Sequence, residues 1–271
     1  MDRMPARRVS LFHKDMHIQP SPLLARHVEE ACLNGWPALS EILFDGWLLR
    51  FSRGHTRRAN SISLLSPSTD DIARKIAHCE MLYARHGLPT IFRLSTLDAD
   101  SVDGILDARG YGPREDETFV LHRDLAPTSL PAVPDTVTLS ESPGRAWLDA
   151  VARIQDLGEG RRAANEAIFA AIANPAGFAA SLSDDGQIAA VAFGAVHDGI
   201  VCINSVGTYT AFQRRGHARR AVGAVIDWAH KKAGANGACL PVMAHNKAAI
   251  ALYEALGFRT EVSRYAYRRH L

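Results

Sequence analysis

Two hydrophobic periods alternate along the chain, and the change between them is sharpest near its centre. Gly199–Thr208 opens with Ile200-Val201-Cys202-Ile203, a short β-branched run bounded by glycine, which predicts a buried strand. From His217 the period becomes helical. Ala218, Ala221, Val222, Val225 and Ala229 recur on one side, with Arg219, Arg220, Asp227 and Lys231 on the other. The helix is expected to stop near Gly234, with Lys231 and Lys232 in its last turn, where cations suit the negative end of the dipole. Strand, basic glycine-containing loop and helix form one unit.

The same patterns organise the rest. The first half predicts a helix from Ser21 or Pro22 to Asn34 and a hairpin, Ile42–Phe44 and Trp47–Phe51, about an Asp45-Gly46 turn. A strand Ala59–Leu65 and a turn and cap cluster Ser66–Asp70 follow. Then come a helix ending by Gly87, a strand Pro89–Leu94, a helix Asp98–Arg109 and a strand Glu117–His122. Residues 1–20 read as a loose arm, and the proline-rich stretch 126–134 as a linker between 1–125 and 135–271. The second half predicts a strand Thr136–Leu139, helices Arg145–Gln155 and Arg161–Ala173, and a hairpin Gly177–Leu182 with Ile188–Val196. After the central helix come a strand Ala238–Met243, a helix Asn246–Leu256, and one or two strands in Thr260–Arg268.

The halves repeat. Gly110-Tyr111 matches Gly257-Phe258, and at that offset of 147 residues the helix after Asp70 falls on the helix from His217. Gln213 falls on Ser66, Gly216 on Thr69, Asn246 on Ala99 and Tyr253 on Leu106, so the first half reads as a degenerate copy that lost the ligand residues.

Composition narrows the function classes. With 47% hydrophobic and 22% charged residues, the 271-residue chain fits a soluble globular protein. A net charge of +2 argues against nucleic acid as a main partner. No apolar stretch of signal-peptide or membrane-spanning kind is seen, and a reducing cytoplasm is expected. Cys32, Cys79, Cys202 and Cys239 are far apart in sequence and fit neither a zinc pattern nor a disulfide framework, so no metal is expected. Cys202 reads as a small buried hydrophobe.

The chemistry gathers at the central loop. A helix's first turn offers unpaired N–H groups and partial positive charge, Gly216 lets backbone approach a ligand, and Arg214, Arg215 and Arg219 add positive potential. A phosphate or pyrophosphate is the natural guest, although the loop matches neither a Walker sequence nor GxGxxG. Gln213-Arg214-Arg215-Gly216-His217-Ala218 resembles the Gln/Arg-x-x-Gly-x-Gly/Ala motif of the GNAT acetyltransferases. Val206-Gly207-Thr208 looks like the end of that family's fourth strand, and Asn246–Phe258, closing on Leu256-Gly257-Phe258, resembles its second signature.

The resemblance implies an α/β fold of two tandem GNAT-like domains, each a mostly antiparallel mixed sheet flanked by helices. It also implies transfer from acetyl-CoA to a small-molecule or peptide amine, with a homodimer allowed. Coenzyme contacts would fall to Val206, Thr208, Gln213, Arg214, Arg215, Gly216, His217, Ala218, Arg219, Asn246 and Tyr253, with Tyr253 as catalytic acid. Asn246 also sits where an N-cap belongs, and Tyr253 shares a face with Ala249, Ile250 and Leu256. The general base is open. Gly199–Thr208 holds no carboxylate, which leaves His197, Asp198, Asp156, Glu159 or a water held by Asn204 or Ser205. A non-catalytic acyl-CoA binding protein is the alternative, and longer acyl groups are a further option.

Overall fold

A computed structural model describes residues 20–126 and 133–270. The expected arm and most of the expected linker lie outside these described residues. Helix α1 (Pro22–Asn34) starts where Ser21 accepts the Leu24 N–H at 3.2 Å, with proline in its first turn. Strands β1 (Ser40–Phe44) and β2 (Trp47–Phe51) are joined by Asp45 and Gly46, both at positive φ, as a two-residue hairpin turn requires. Next come β3 (Ile62–Leu64), α2 (Ile72–Arg85), β4 (Ile91–Ser95), α3 (Asp103–Ala108) and β5 (Glu115–Asp124). The second half supplies β6 (Val137–Ser140), α4 (Arg145–Ile154), α5 (Glu159–Ala170), β7 (Ala176–Leu182), β8 (Ile188–His197) and β9 (Ile200–Thr208). It ends with α6 (His217–Lys231), β10 (Gly237–Met243), α7 (Lys247–Ala255) and β11 (Thr260–Arg269). Among the described residues no helix is long and apolar enough to cross a membrane.

Two expected elements differ from what forms. The helix expected from Asp98 begins only at Asp103, because the carboxylates before it serve the loop. Asp98 accepts the Ser95 N–H, and Asp100 accepts from Ser68 and from the Trp47 indole. The strand expected from Ala59 shrinks to Ile62–Leu64. Arg57–Ala59 is instead a 3₁₀ turn, held by Asn60 accepting from the N–H groups of Ser52 and Gly54. Of the one or two strands expected in the closing segment, one forms.

The eleven strands of the described residues join in one mixed sheet, ordered β1-β2-β3-β4-β11-β5-β10-β9-β8-β7-β6. Neighbours are antiparallel except β3 with β4 and β9 with β10. The halves exchange their last strands. The C-terminal β11 pairs with β4, while β5 pairs with β10. At the 147-residue offset these two pairings are copies of each other, in register to within one residue. The internal repeat is therefore structural.

Alternation along β9 sends its residues to opposite faces. Val201 and Ile203 pack under α6, with Val222, Val225, Ala238 and Leu240. Ile200 and Cys202 pack under α1, with Val28, Cys32, Cys239 and Tyr265. A first-half helix thus covers the central strands of the second half. The cysteines, far apart in sequence, are not all far apart in space: Cys32, Cys202 and Cys239 converge between α1 and the sheet, while Cys79 packs apart in the core of the first half.

Candidate active site

The site is built on a fork in the sheet. Strands β9 and β10 pair only at Ile200–Gly237, Val201–Ala238 and Cys202–Cys239. Beyond them β9 follows β8, and β10 follows β5. A bulge in β9 drives the divergence. Val191 faces Gly207 and Phe193 faces Asn204, so Ser205 and Val206 oppose Ala192 alone, with Ser205 at φ 50°. Such a bulge bends its strand and increases the local twist. On the facing strand Pro241 has no N–H to donate. The edges 203–208 and 240–243 are left without a ladder between them, an opening into which an extended ligand can add as a strand. Helix α4 presses on the far end of the fork. A Cβ on Gly207 would come within 2.5 Å of Ile154 Cγ2, so the glycine permits that approach.

The basic loop lies at the end of the diverging β9. Thr210–Phe212 form a 3₁₀ turn, and the chain then passes through Arg214 at φ 61° and Gly216 at φ 80° into α6. Gly216 is the N-cap, with no side-chain cap bond and no acidic residue in the first turn. The helix N–H groups are thus not capped from within, as an anion site needs. Gln213, Arg214, Arg215, Gly216 and Arg219 are exposed, and Ala218 is half-buried. The His217 side chain turns inward. Its Nδ1 lies 3.0 Å from Ser181 Oγ and 2.9 Å from Arg220 Nη2, and burial together with Arg220 lowers its pKa. With the side chain engaged there, His217 has its backbone N–H left to offer a phosphate.

Helix α7 supplies the other signature. The exposed Asn246 caps it, Oδ1 accepting the Ala249 N–H at 3.1 Å. Tyr253 is 7% exposed and packs edge-on against Phe258. Among the described residues its hydroxyl makes no hydrogen bond, and burial pushes its pKa up to about 12. The phenol is protonated at neutral pH and free to donate.

The base candidates separate. His197 and Asp198 sit at the closed end of the β8–β9 hairpin: His197 faces Ile200, four residues or roughly 13 Å along the strand from Asn204, and Asp198 lies beyond it in the turn. His197 is engaged there with Asn34 and Asn174. Asp156 lies in the loop after α4, the helix that touches β9 at Gly207, and Glu159 opens the next helix, α5. Asn204 is buried, and its Oδ1 accepts from Arg58 Nη1 at 2.8 Å. Arg58, half-buried and stacked over Trp36, escaped the sequence reading. It comes from the first half, 146 residues away, and no motif marks it.

Comparison with known proteins gives the lineage. A family model described as "Probable histone acetyltransferase Rv0428c C-terminal" matches residues 24–267. The Bacillus subtilis protein called "uncharacterized N-acetyltransferase YobR" is 26% identical over 246 residues, covering 90% of this chain and 97% of that protein. The structure of a GCN5-related N-acetyltransferase from Kribbella flavida superposes with a TM-score of 0.67 at 15% identity, over 93% of this chain and 96% of that one. A tandem GNAT protein from the clavulanic acid biosynthesis pathway superposes with a TM-score of 0.57, also at 15% identity, over 77% and 74% of the two chains. With a family model spanning nearly every described residue and a forked mixed sheet of this kind, the chain belongs to the Rv0428c C-terminal family and is a GNAT acetyltransferase.

Proposed function

We propose that the chain transfers an acetyl group from acetyl-CoA to a primary amine by direct attack, using the fork of its second half. The observation that carries this reading is one alignment of three features. A stretch of β9 whose edge toward β10 is open leads into an uncapped basic helix start, and α7 brings to the same half of the sheet a phenol with no hydrogen-bond partner among the described residues. Backbone N–H groups from Arg214 to Arg219 take the pyrophosphate. The pantetheine arm pairs with Val206 and Thr208 as an added strand. An N–H near Val206 faces the thioester oxygen, where negative charge develops. The neutral amine attacks the carbonyl, the carbon–sulfur bond breaks, and Tyr253 gives the departing thiolate its proton. The attacking nitrogen loses its own proton to water or to a side chain of the α4–α5 loop.

A second reading rests on one observation: β9 carries no carboxylate from Ile200 to Thr208. On that reading the chain binds acyl-CoA without turnover. The names of relatives favour transfer. The B. subtilis protein is called an N-acetyltransferase, and the family description names a histone acetyltransferase. Calorimetry of the full chain against acetyl-CoA and longer acyl thioesters tests the donor. Tighter binding of acetyl-CoA supports the proposal, and a preference for long chains would replace acetyl with another acyl group.

A further inference from the structure

Three cysteines from three distant elements meet where the fork closes. Cys32 is on α1, Cys202 on β9 and Cys239 on β10. The sulfur of Cys32 lies 3.8 Å from that of Cys202 and 3.9 Å from that of Cys239, and all three lie within 4.8 Å of one another. Two sulfurs held at about 2.3 Å by one tetrahedral zinc ion sit about 3.8 Å apart. Cys202 and Cys239 are the last paired residues before β9 and β10 diverge. Gly35, just after α1, brings the helix close, since a Cβ there would come within 2.9 Å of Cys202 Cβ.

We propose that Cys32, Cys202 and Cys239 form a trithiolate site for one soft d¹⁰ dication of the zinc group, which clamps α1 to the root of the fork. Binding forms three metal–sulfur bonds, breaks the S–H bonds and releases the protons, with no electron transferred. Three thiolates and a dication carry one net negative charge. Arg58 lines the adjoining cavity with Cys32 and Pro241 and offsets that charge, whereas Arg93, which lines it too, is already paired with Glu29. The cavity, of about 10 Å³, has room for about one water-sized fourth ligand. No sequence pattern marks such a site, because its ligands are 170 and 37 residues apart and only the fold unites them.

The test uses the full chain, reduced and freed of metal by a chelator. Adding Cd²⁺ should give a sulfur-to-cadmium charge-transfer band that saturates at one ion per chain, and Zn²⁺ should compete for it. X-ray absorption of the wild-type cadmium form should count three sulfurs. Cys32→Ser, Cys202→Ser and Cys239→Ser should each weaken binding at least about tenfold, while Cys79→Ser leaves it unchanged. An absent band, fewer than three sulfurs, or a band that survives in all three variants would overturn the proposal. So would loss of two thiols to a disulfide in place of metal uptake. The sulfur count on the wild type keeps the test decisive if a variant fails to fold.

Discussion

Asp45 holds Thr69 at three points: its carboxylate accepts the Thr69 backbone N–H at 3.0 and 3.2 Å and the Thr69 hydroxyl at 2.6 Å. The Asp70 N–H joins at 3.1 Å, and the buried Lys75 ammonium lies 3.1 Å away. Thr69 is the residue that Gly216 matches in the repeat. In the first half, then, a carboxylate of the chain itself occupies the loop amides that the second half leaves open. The hydrogen bonds from Thr69 and the charge of Lys75 hold the Asp45 pKa below the usual range, so the plug stays charged at neutral pH. Calorimetry should therefore find one coenzyme A per chain. Two would mean that the plug yields to the ligand.

The open loop should fail when its glycine is replaced. Gly216 lies at φ 80°, where any L-residue is strained by about 1 kcal/mol, and a Cβ would come 3.3 Å from Arg220 Nη1. Gly216→Ala should weaken coenzyme binding modestly. Gly216→Glu adds bulk and negative charge beside the phosphates and should lower affinity by at least about 100-fold, roughly 2.7 kcal/mol. Equal affinities for wild type and the Glu variant would remove the phosphate from this loop.

Tyr253→Phe keeps the ring against Phe258 and removes a hydroxyl that has no partner among the described residues. Loss of a proton donor should reduce kcat by at least about tenfold, roughly 1.4 kcal/mol of barrier, with coenzyme affinity and Tm nearly unchanged. Full kcat in the variant would make Tyr253 a packing residue.

Asp98 offers a pH test of the first half. Burial raises its pKa to about 7, against the lowering effects of the Ser95 N–H and Arg93. A carboxyl raised in the folded state contributes stability that is full below its unfolded value of 3.8 and is lost as pH rises through about 7. Asp98→Asn keeps an acceptor for Ser95 and removes the titration. The variant should gain Tm on the wild type between pH 5 and 8, and the gain should shrink towards pH 4. A difference independent of pH would place the Asp98 pKa near its ordinary value.

Much of this was legible in the chain. The β9–loop–α6 unit, the Asn246–Phe258 helix and the repeat were written in local period and motif, and each formed where expected. Non-local pairing was not. Nothing in the period-2 pattern of Thr260–Arg268 says that β11 will lie between β4 and β5, since a strand's pattern names its buried face and not its neighbour. Arg58 on Asn204 and the three-cysteine cluster were hidden for the same reason, because their members lie on different elements. The shortened α3 was missed through side-chain competition: the helix was expected from Asp98, but Asp98 and Asp100 instead bind loop amides.

The central claim is acetyl transfer, and amine-dependent release of coenzyme A tests it most directly. The full chain, saturated with acetyl-CoA, is given amino acids, polyamines, aminoglycosides and basic peptides in turn, and free thiol is followed against time. Transfer predicts that at least one amine accelerates thiol release well above hydrolysis, with an acetylated product of matching amount, and that Gly216→Glu abolishes the acceleration. Saturable acetyl-CoA binding with no acceleration by any amine would contradict transfer and leave a protein that binds the thioester without using it.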